Sequence, residues 1–175
     1  MKIVDTKLGC ALLMPEVIKD NRGLFLIPFS TEDLTKLGFS FDRVFQLNHS
    51  FTVSKGTVRG PNYQDSFPQA KIIRCTKGSL YSVGICLSGS DKGKWVGYEL
   101  SSYNKEVMYI PRGYAHGFVT LEDDTELEYL TDNKYCFEAA KSIKWDSLGI
   151  DWTVGGRVVV RQDLLSNKNR YAPML

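Results

Sequence analysis

The 175-residue chain predicts an all-β fold, an antiparallel sandwich or barrel, and two observations carry that prediction. Segments of strand length follow one another closely: Lys71–Thr76, Ser79–Leu87, Lys94–Leu100, Glu106–Ile110, Gly117–Leu121 and Thr125–Thr131. Turn signals separate them, at Lys77-Gly78, Ser88-Gly89-Ser90-Asp91, Pro111-Arg112-Gly113 and Glu122-Asp123-Asp124. The second observation is the lack of any long run of apolar residues at helical spacing between these segments.

The other elements follow from local chemistry. Residues 1–30 read as two or three short strands around the Asn21-Arg22-Gly23 turn, with an apolar run of strand length over Gly23–Phe29. A short helix follows, capped by Thr31, acidic in its first turn at Glu32 and Asp33, and stopped by Gly38. From Val44 to Ser50 the period is two, placing Gln46, Asn48 and Ser50 on one face and Phe45, Leu47 and His49 on an opposite, core-facing one. That amide face fits a polar ligand site in a barrel and a solvent-exposed sheet face equally well. After Tyr135 the texture changes to a helical turn and loop, Val158–Val160 reads as a last strand, and the tail from Leu164 to Leu175 reads as a surface wrap.

Composition bounds the function classes. The length suits one domain with a sizeable core. A net charge of +2 gives no argument for nucleic acid or membrane partners, whereas a phosphate-bearing small molecule needs only a few local cations. The N-terminus shows neither a signal-peptide core nor a membrane span, so a cytoplasmic location is expected. Cys10, Cys75, Cys86 and Cys136 form no CxxC pair and read as free thiols, Cys75 and Cys86 within strands. With two histidines, one of them assigned to the core, the chain lacks the converging ligands of a transition-metal site, and neither metal nor cofactor is expected.

Two stretches carry chemistry. Val58 to Lys71 begins as a strand, bends at Gly60-Pro61, continues through Asn62, Tyr63 and Gln64, and bends again at Pro68 before the apolar strand at Ile72. A polar connection with Arg59 and Lys71 at flanking strand ends suits an anionic ligand, since rigid elements hold binding groups better than loop tips. An ordinary hairpin with solvated charges has the same composition. At Pro111 the chain reads PRGYAHGF, which sets His116 between two glycines, where it serves as a structural histidine or faces a pocket.

In order, NRGLF (21–25), FQLNHS (45–50), KGTVRG (55–60), QAK (69–71), PRGYAHGF (111–118), EYLTDNKY (128–135), WD (145–146), DW (151–152) and QD (162–163) span nearly the whole chain. That series resembles the dTDP-4-dehydrorhamnose 3,5-epimerase family of RmlC-like cupins. The resemblance implies a single domain over 1–175, a double-stranded β-helix (jelly-roll) barrel with a few short helices, and a homodimer. It also implies an isomerase that binds no metal and acts on a nucleotide-diphosphate 4-keto-6-deoxy sugar.

The resemblance further implies the site residues. Arg59 and Lys71 match cations at the sugar and phosphates, with Lys71 at the enolate oxygen. Arg22 matches a pyrophosphate contact, and Phe25 and Gln64 fall in matching substrate-binding segments. Gln46 and Asn48 match residues lining the nucleotide end, His116 an active-site histidine and Tyr129 the tyrosine acid. Asp163 matches the aspartate that supports the catalytic histidine. Epimerisation beside a ketone removes a carbon-bound proton and returns one to the other face, through an enolate that a cation or donor stabilises.

Three positions depart from the family pattern. Asn62 stands where the family's RGLHxQ segment has the histidine base, Ser82 where an acid is usual, and Ile27 where the RGxFxE pattern has glutamate. An asparagine cannot accept a proton near neutral pH. The readings are therefore an epimerase of altered scope, acting at C3, C5 or both, possible substrates including GDP-linked sugars or heptoses, or an inactive relative that binds a nucleotide sugar. On the active reading, Asp163 serves either as an acceptor for the Asn62 amide or as a base through water.

Overall fold

The computed structural model describes residues 1–41 and 43–175. Its strands are β1 (Lys2–Lys7), β2 (Cys10–Met14), β3 (Val17–Asp20), β4 (Gly23–Leu26), β5 (Gln46–Thr52), β6 (Val58–Gln64) and β7 (Lys71–Lys77). Then come β8 (Ser79–Cys86), β9 (Trp95–Ser101), β10 (Val107–Ile110), β11 (Tyr114–Thr120), β12 (Thr125–Thr131) and β13 (Ala140–Ser142). Helices α1 (Thr31–Lys36) and α2 (Asn167–Arg170) are short. None among the described residues is long and apolar enough to cross a membrane.

Two antiparallel sheets, ordered β1-β2-β10-β7-β12-β5 and β13-β6-β11-β8-β9, face each other as a cupin-like barrel, with β3-β4 as a separate hairpin. Leu12, Ile73, Met108, Ile110 and Leu127 of the larger sheet meet Leu80, Val96, Leu100 and Phe118 of the smaller in the central core. The outer faces are covered as well. Leu34 of α1 and Phe41 lie on Leu13, Ile72 and Val107, while Ile143, Ile150, Trp152 and Leu165 cover Val83, Ile85, Ala115 and Val119. Strands buried on both faces explain near-continuous apolar runs such as Cys10–Met14 and Val107–Ile110.

Several expectations are corrected. Four strands, not two or three, occupy the first thirty residues, and Ser30 rather than Thr31 caps α1, its side chain accepting from the Asp33 amide. Val158–Val160 is not a strand: Val158 packs inward while Val159 is exposed. The last strand is instead β13, paired with β6. On β5 the amide series Gln46, Asn48 and Ser50 is half-buried, and Phe45, Leu47 and His49 are exposed. His49 therefore lies on the outer face, near Glu126 and Glu128, and not in the core.

The stretch from Val58 to Lys71 is more strand than loop, because β6 continues through Gly60-Pro61 to Gln64. It is not half of a hairpin, since β6 and β7 belong to different sheets. Against β11, His116 pairs with Asn62 but Phe118 with Arg59, so three steps on β6 match two on β11. That bulge sets Asn62 opposite His116. It needs Gly60: the backbone has φ +87°, and a Cβ there would lie 2.6 Å from the His116 carbonyl oxygen.

Gly113 has nearly the same backbone angle, φ +82°, but open space around it. Gly113→Ala is expected to cost about 1 kcal/mol, and Gly60→Ala roughly 3 to 4 kcal/mol because the clash adds to the same backbone penalty. Urea unfolding of the two variants checks this; equal losses would remove the bulge from the account.

Candidate active site

Alternation along the strands divides the barrel interior into an apolar half and a polar half. On β7 the inward series is Lys71, Ile73 and Cys75, and on β12 Leu127 is followed inward by Tyr129. On β11 His116 precedes Phe118. Ile73, Cys75 and Leu127 enter the core, Phe118 lies where core and cleft meet, and Lys71, His116 and Tyr129 line an open cleft of about 640 Å³. Arg59, Asn62, Gln64, Ser166, Lys168 and Asn169 also line it, and no described aspartate or glutamate does. No cluster of three or more metal-ligating side chains occurs among the described residues.

Lys71 is 8% exposed and, among the described residues, makes no ion pair or hydrogen bond through its amine. The carboxylate that acts on it, Asp132, is fully buried but engaged elsewhere. Asp132 Oδ1 accepts from the Ala70 amide at 2.7 Å, and Oδ2 accepts from Arg112 Nε at 2.8 Å. Burial pushes the Lys71 ammonium down to about 8, with Asp132 opposing only in part. His116 is 8% exposed and sits 3.0 Å from Ser82 Oγ through Nε2. Burial first, and then the Lys71 charge, lower it to about 3, so the ring is neutral. Burial raises the Tyr129 phenol, with Tyr135 contributing, and keeps it a proton donor.

The histidine position of the family holds an amide pair. Gly60 N–H donates to Asn169 Oδ1 at 3.4 Å, and Ser166 Oγ donates to the same oxygen at 2.8 Å. Since a backbone N–H can only donate, that oxygen is the acceptor and the Asn169 nitrogen the donor. Asn169 Nδ2 donates to Asn62 Oδ1 at 3.2 Å, and Ser142 Oγ, opposite on β13, donates to it at 2.6 Å. With its carbonyl occupied twice, exposed Asn62 presents its NH₂ to the cleft. This wall of the site offers a donor and no base.

The other expected residues divide. Arg59 lines the cleft, held by Thr52 Oγ1 at 3.0 Å and the Phe51 carbonyl at 3.2 Å. Gln64 lines it too, but its amide is engaged: Nε2 donates to the Phe67 and Lys134 carbonyls and Oε1 accepts from the Cys136 amide. Gln64 therefore organises the loop after β6. Gln46 and Asn48 share the inward face of β5 with the cleft residue Ser50 and bond to each other at 2.6 Å, short of the cleft lining. Arg22 and Phe25 lie exposed on the β3–β4 hairpin, away from the cleft, with Arg22 paired to Asp20.

Asp163 is not brought to the site. It is exposed, paired with Arg161 at 2.7 Å, and that pairing lowers its carboxyl, so it neither meets Asn62 nor acts as a buried base. The residue beside Asn62 is Asn169, which comes from a tail whose sequence has no periodicity. The available signal was Ser166-x-x-Asn169: Ser166 caps α2 and accepts from the Asn169 amide.

The isolated amine carries a stability consequence. The folded chain releases the Lys71 proton near pH 8 and the unfolded chain near 10.5, so the unfolded state holds more protons in between. Stability linked to this group rises with pH across that window, and below it the burial cost is present in full, on the order of 3 kcal/mol. Lys71→Met should raise stability at pH 7 by about 1 to 3 kcal/mol and flatten the rise above pH 8. Thermal melts across pH check this; a less stable variant at pH 7 would contradict it.

Residues 6–175 match the family model described as dTDP-4-dehydrorhamnose 3,5-epimerase. The chain is 33% identical to the enzyme of that name from Shigella flexneri over 174 residues, covering 96% of each. It is 36% identical to that of Escherichia coli K12 over 159 residues, 87% of this chain and 85% of the relative. The crystal structure of the Bacillus anthracis enzyme with TDP and PPi bound superposes with a TM-score of 0.91 at 31% identity, covering 99% of both chains. That of the Legionella pneumophila enzyme in complex with dTDP-4-keto-L-rhamnose gives 0.87 at 31% identity, covering 99% of this chain and 92% of that one. With its fold, the order of its motifs and nearly its whole length in agreement, the chain belongs to the dTDP-4-dehydrorhamnose 3,5-epimerase family.

Proposed function

We propose that the chain is a nucleotide-sugar epimerase of narrowed scope, exchanging the proton at one carbon beside the ketone of a 4-keto-6-deoxy sugar. The observation that carries this reading is the pairing of Tyr129 and Lys71 in one cleft with an amide at the base position. Enolate formation needs a group for the ketone oxygen, which the Lys71 amine and the Asn62 NH₂ supply, and a proton donor, which the raised phenol of Tyr129 supplies. Arg59 and Lys168 are the other cations of the cleft and suit a diphosphate.

A homodimer accompanies this reading. Leu47, Phe51 and Val53 from β5 outward, with Ile18, Leu24, Phe25 and Ile27 of the hairpin, are exposed apolar side chains that a second copy would cover. The hairpin residues Arg22 and Phe25 would then serve a partner's cleft. Ile27 follows them where the family's RGxFxE pattern has glutamate, which favours a base other than thymine, as in a GDP-linked hexose or heptose.

The second reading, an inactive nucleotide-sugar binder, draws on the doubly occupied Asn62 carbonyl. Incubation with dTDP- and GDP-linked 4-keto-6-deoxy sugars in deuterated water separates the two. Deuterium at a single carbon, C3 or C5, is expected, and Tyr129→Phe should slow its entry by about 10²- to 10⁴-fold. Binding without deuterium in any sugar would leave the inactive reading; deuterium at both carbons would overturn the narrowed scope.

A further inference from the structure

We propose that Lys71 is the base of this reaction: its neutral amine takes the proton from the carbon beside the 4-ketone, and the ammonium so formed then holds the enolate oxygen. The inference rests on the epimerase reading above and goes beyond it by assigning the proton acceptor.

Elimination within the cleft leads there. No described carboxylate lines it. The Asn62 amide cannot hold a proton, and its carbonyl is already occupied by Ser142 and Asn169. His116 is a poor acceptor, buried, bonded to Ser82 and lowered to about 3. Tyr129 is held as a phenol by burial, and a guanidinium such as that of Arg59 does not deprotonate in proteins. Lys71 remains.

The surroundings of the amine suit the task. His116 from β11, Tyr129 from β12 and Arg59 from β6 line the same cleft, and Asp132 just beyond β12, bonded to Arg112, is the carboxylate that acts on the amine. The sole carboxylate of that set has both oxygens engaged by the Ala70 amide and Arg112. No counter-ion therefore fixes the amine as ammonium, and with its proton released near pH 8, about half is free base at that pH. A base whose proton affinity lies near the working pH is the efficient kind.

The step balances without a co-reactant. The carbon–hydrogen electron pair becomes the carbon–carbon double bond of the enolate as the ketone oxygen gains the negative charge. The proton moves to the Lys71 nitrogen, so the stabilising cation appears as the anion does. Tyr129 then donates its phenolic proton to the opposite face of the carbon. The resulting phenolate and the ammonium exchange one proton through water, which restores both groups.

The test is deuterium exchange from solvent into the sugar that the parent protein turns over, followed between pH 6 and 9.5. The expected profile rises with unit slope and levels near pH 8. Lys71→Arg keeps a cation but loses the base, and should exchange at least about 100-fold more slowly while the nucleotide diphosphate still binds. Ethylamine should restore exchange to Lys71→Ala in proportion to its free-base concentration. A flat profile in the parent, an arginine variant with more than a tenth of the parent rate, or a nucleotide-binding alanine variant that ethylamine does not restore would each overturn the assignment. So would a borohydride-trapped sugar–Lys71 adduct, which would make the amine an imine former. If the parent exchanges with no 4-keto sugar, the epimerase reading itself fails; if it exchanges but Lys71→Arg does too, only the base assignment fails.

Discussion

The burial of one amine without a counter-charge is the constraint around which the molecule is arranged. Lys71 opens β7, a strand flanked on both sides by β10 and β12 in the larger sheet. Its backbone position is pinned one residue earlier, where Ala70 donates to buried Asp132. Asp132 is in turn tied to Arg112, so the carboxylate that could have neutralised the lysine fixes the strand instead. A buried charge without a partner is unfavourable, and the surrounding core of Ile73, Leu127, Met108 and Phe118 offsets that cost. Sites that give up stability to hold a reactive group in place are a common compromise in enzymes.

The amide pair fits the same logic. A carboxylate at position 169 would face the carbonyl of Asn62, two acceptors without a shared proton. With asparagine at both positions every hydrogen bond is directional and satisfied: Gly60 and Ser166 to Asn169, Asn169 and Ser142 to Asn62. Asparagine at both positions thus makes one closed set of hydrogen bonds, which a carboxylate at either position would break. Ser82 beside His116 is a further neutral partner, bonded to an imidazole that burial and the Lys71 charge keep uncharged.

Much of the barrel is legible in the sequence because strands with one apolar and one polar series, separated by glycine and acidic turns, leave little choice; Lys71–Thr76 and Thr125–Thr131 fall within a residue of the observed strands. Alternation alone does not say which face is inside. On β5 the polar series turns inward, with Ser50 reaching the cleft and Gln46 and Asn48 bonded to each other, and Leu47 and Phe51 are left outside. Val158–Val160 has β-branched composition but no neighbouring strand to pair with, while three-residue β13 gains its identity only from β6. Arg59 and Lys71 are readable as site residues from their places at strand ends, whereas Tyr129 and the active-site role of His116 come from the family resemblance; all four line the cleft. Asn169 is not readable, since a one-turn helix in an aperiodic tail reaches the cleft through tertiary contacts, and an acidic residue six positions earlier offered itself in its place.

The most direct measurement is the proton affinity of the Lys71 amine in the free protein, followed by NMR of ¹³Cε-labelled lysine with Lys71→Met identifying the resonance. A buried amine without a counter-ion predicts a midpoint near pH 8, well below the ordinary 10.5. A midpoint at or above 10.5 would mean that the amine is solvated or ion-paired, and would contradict the account.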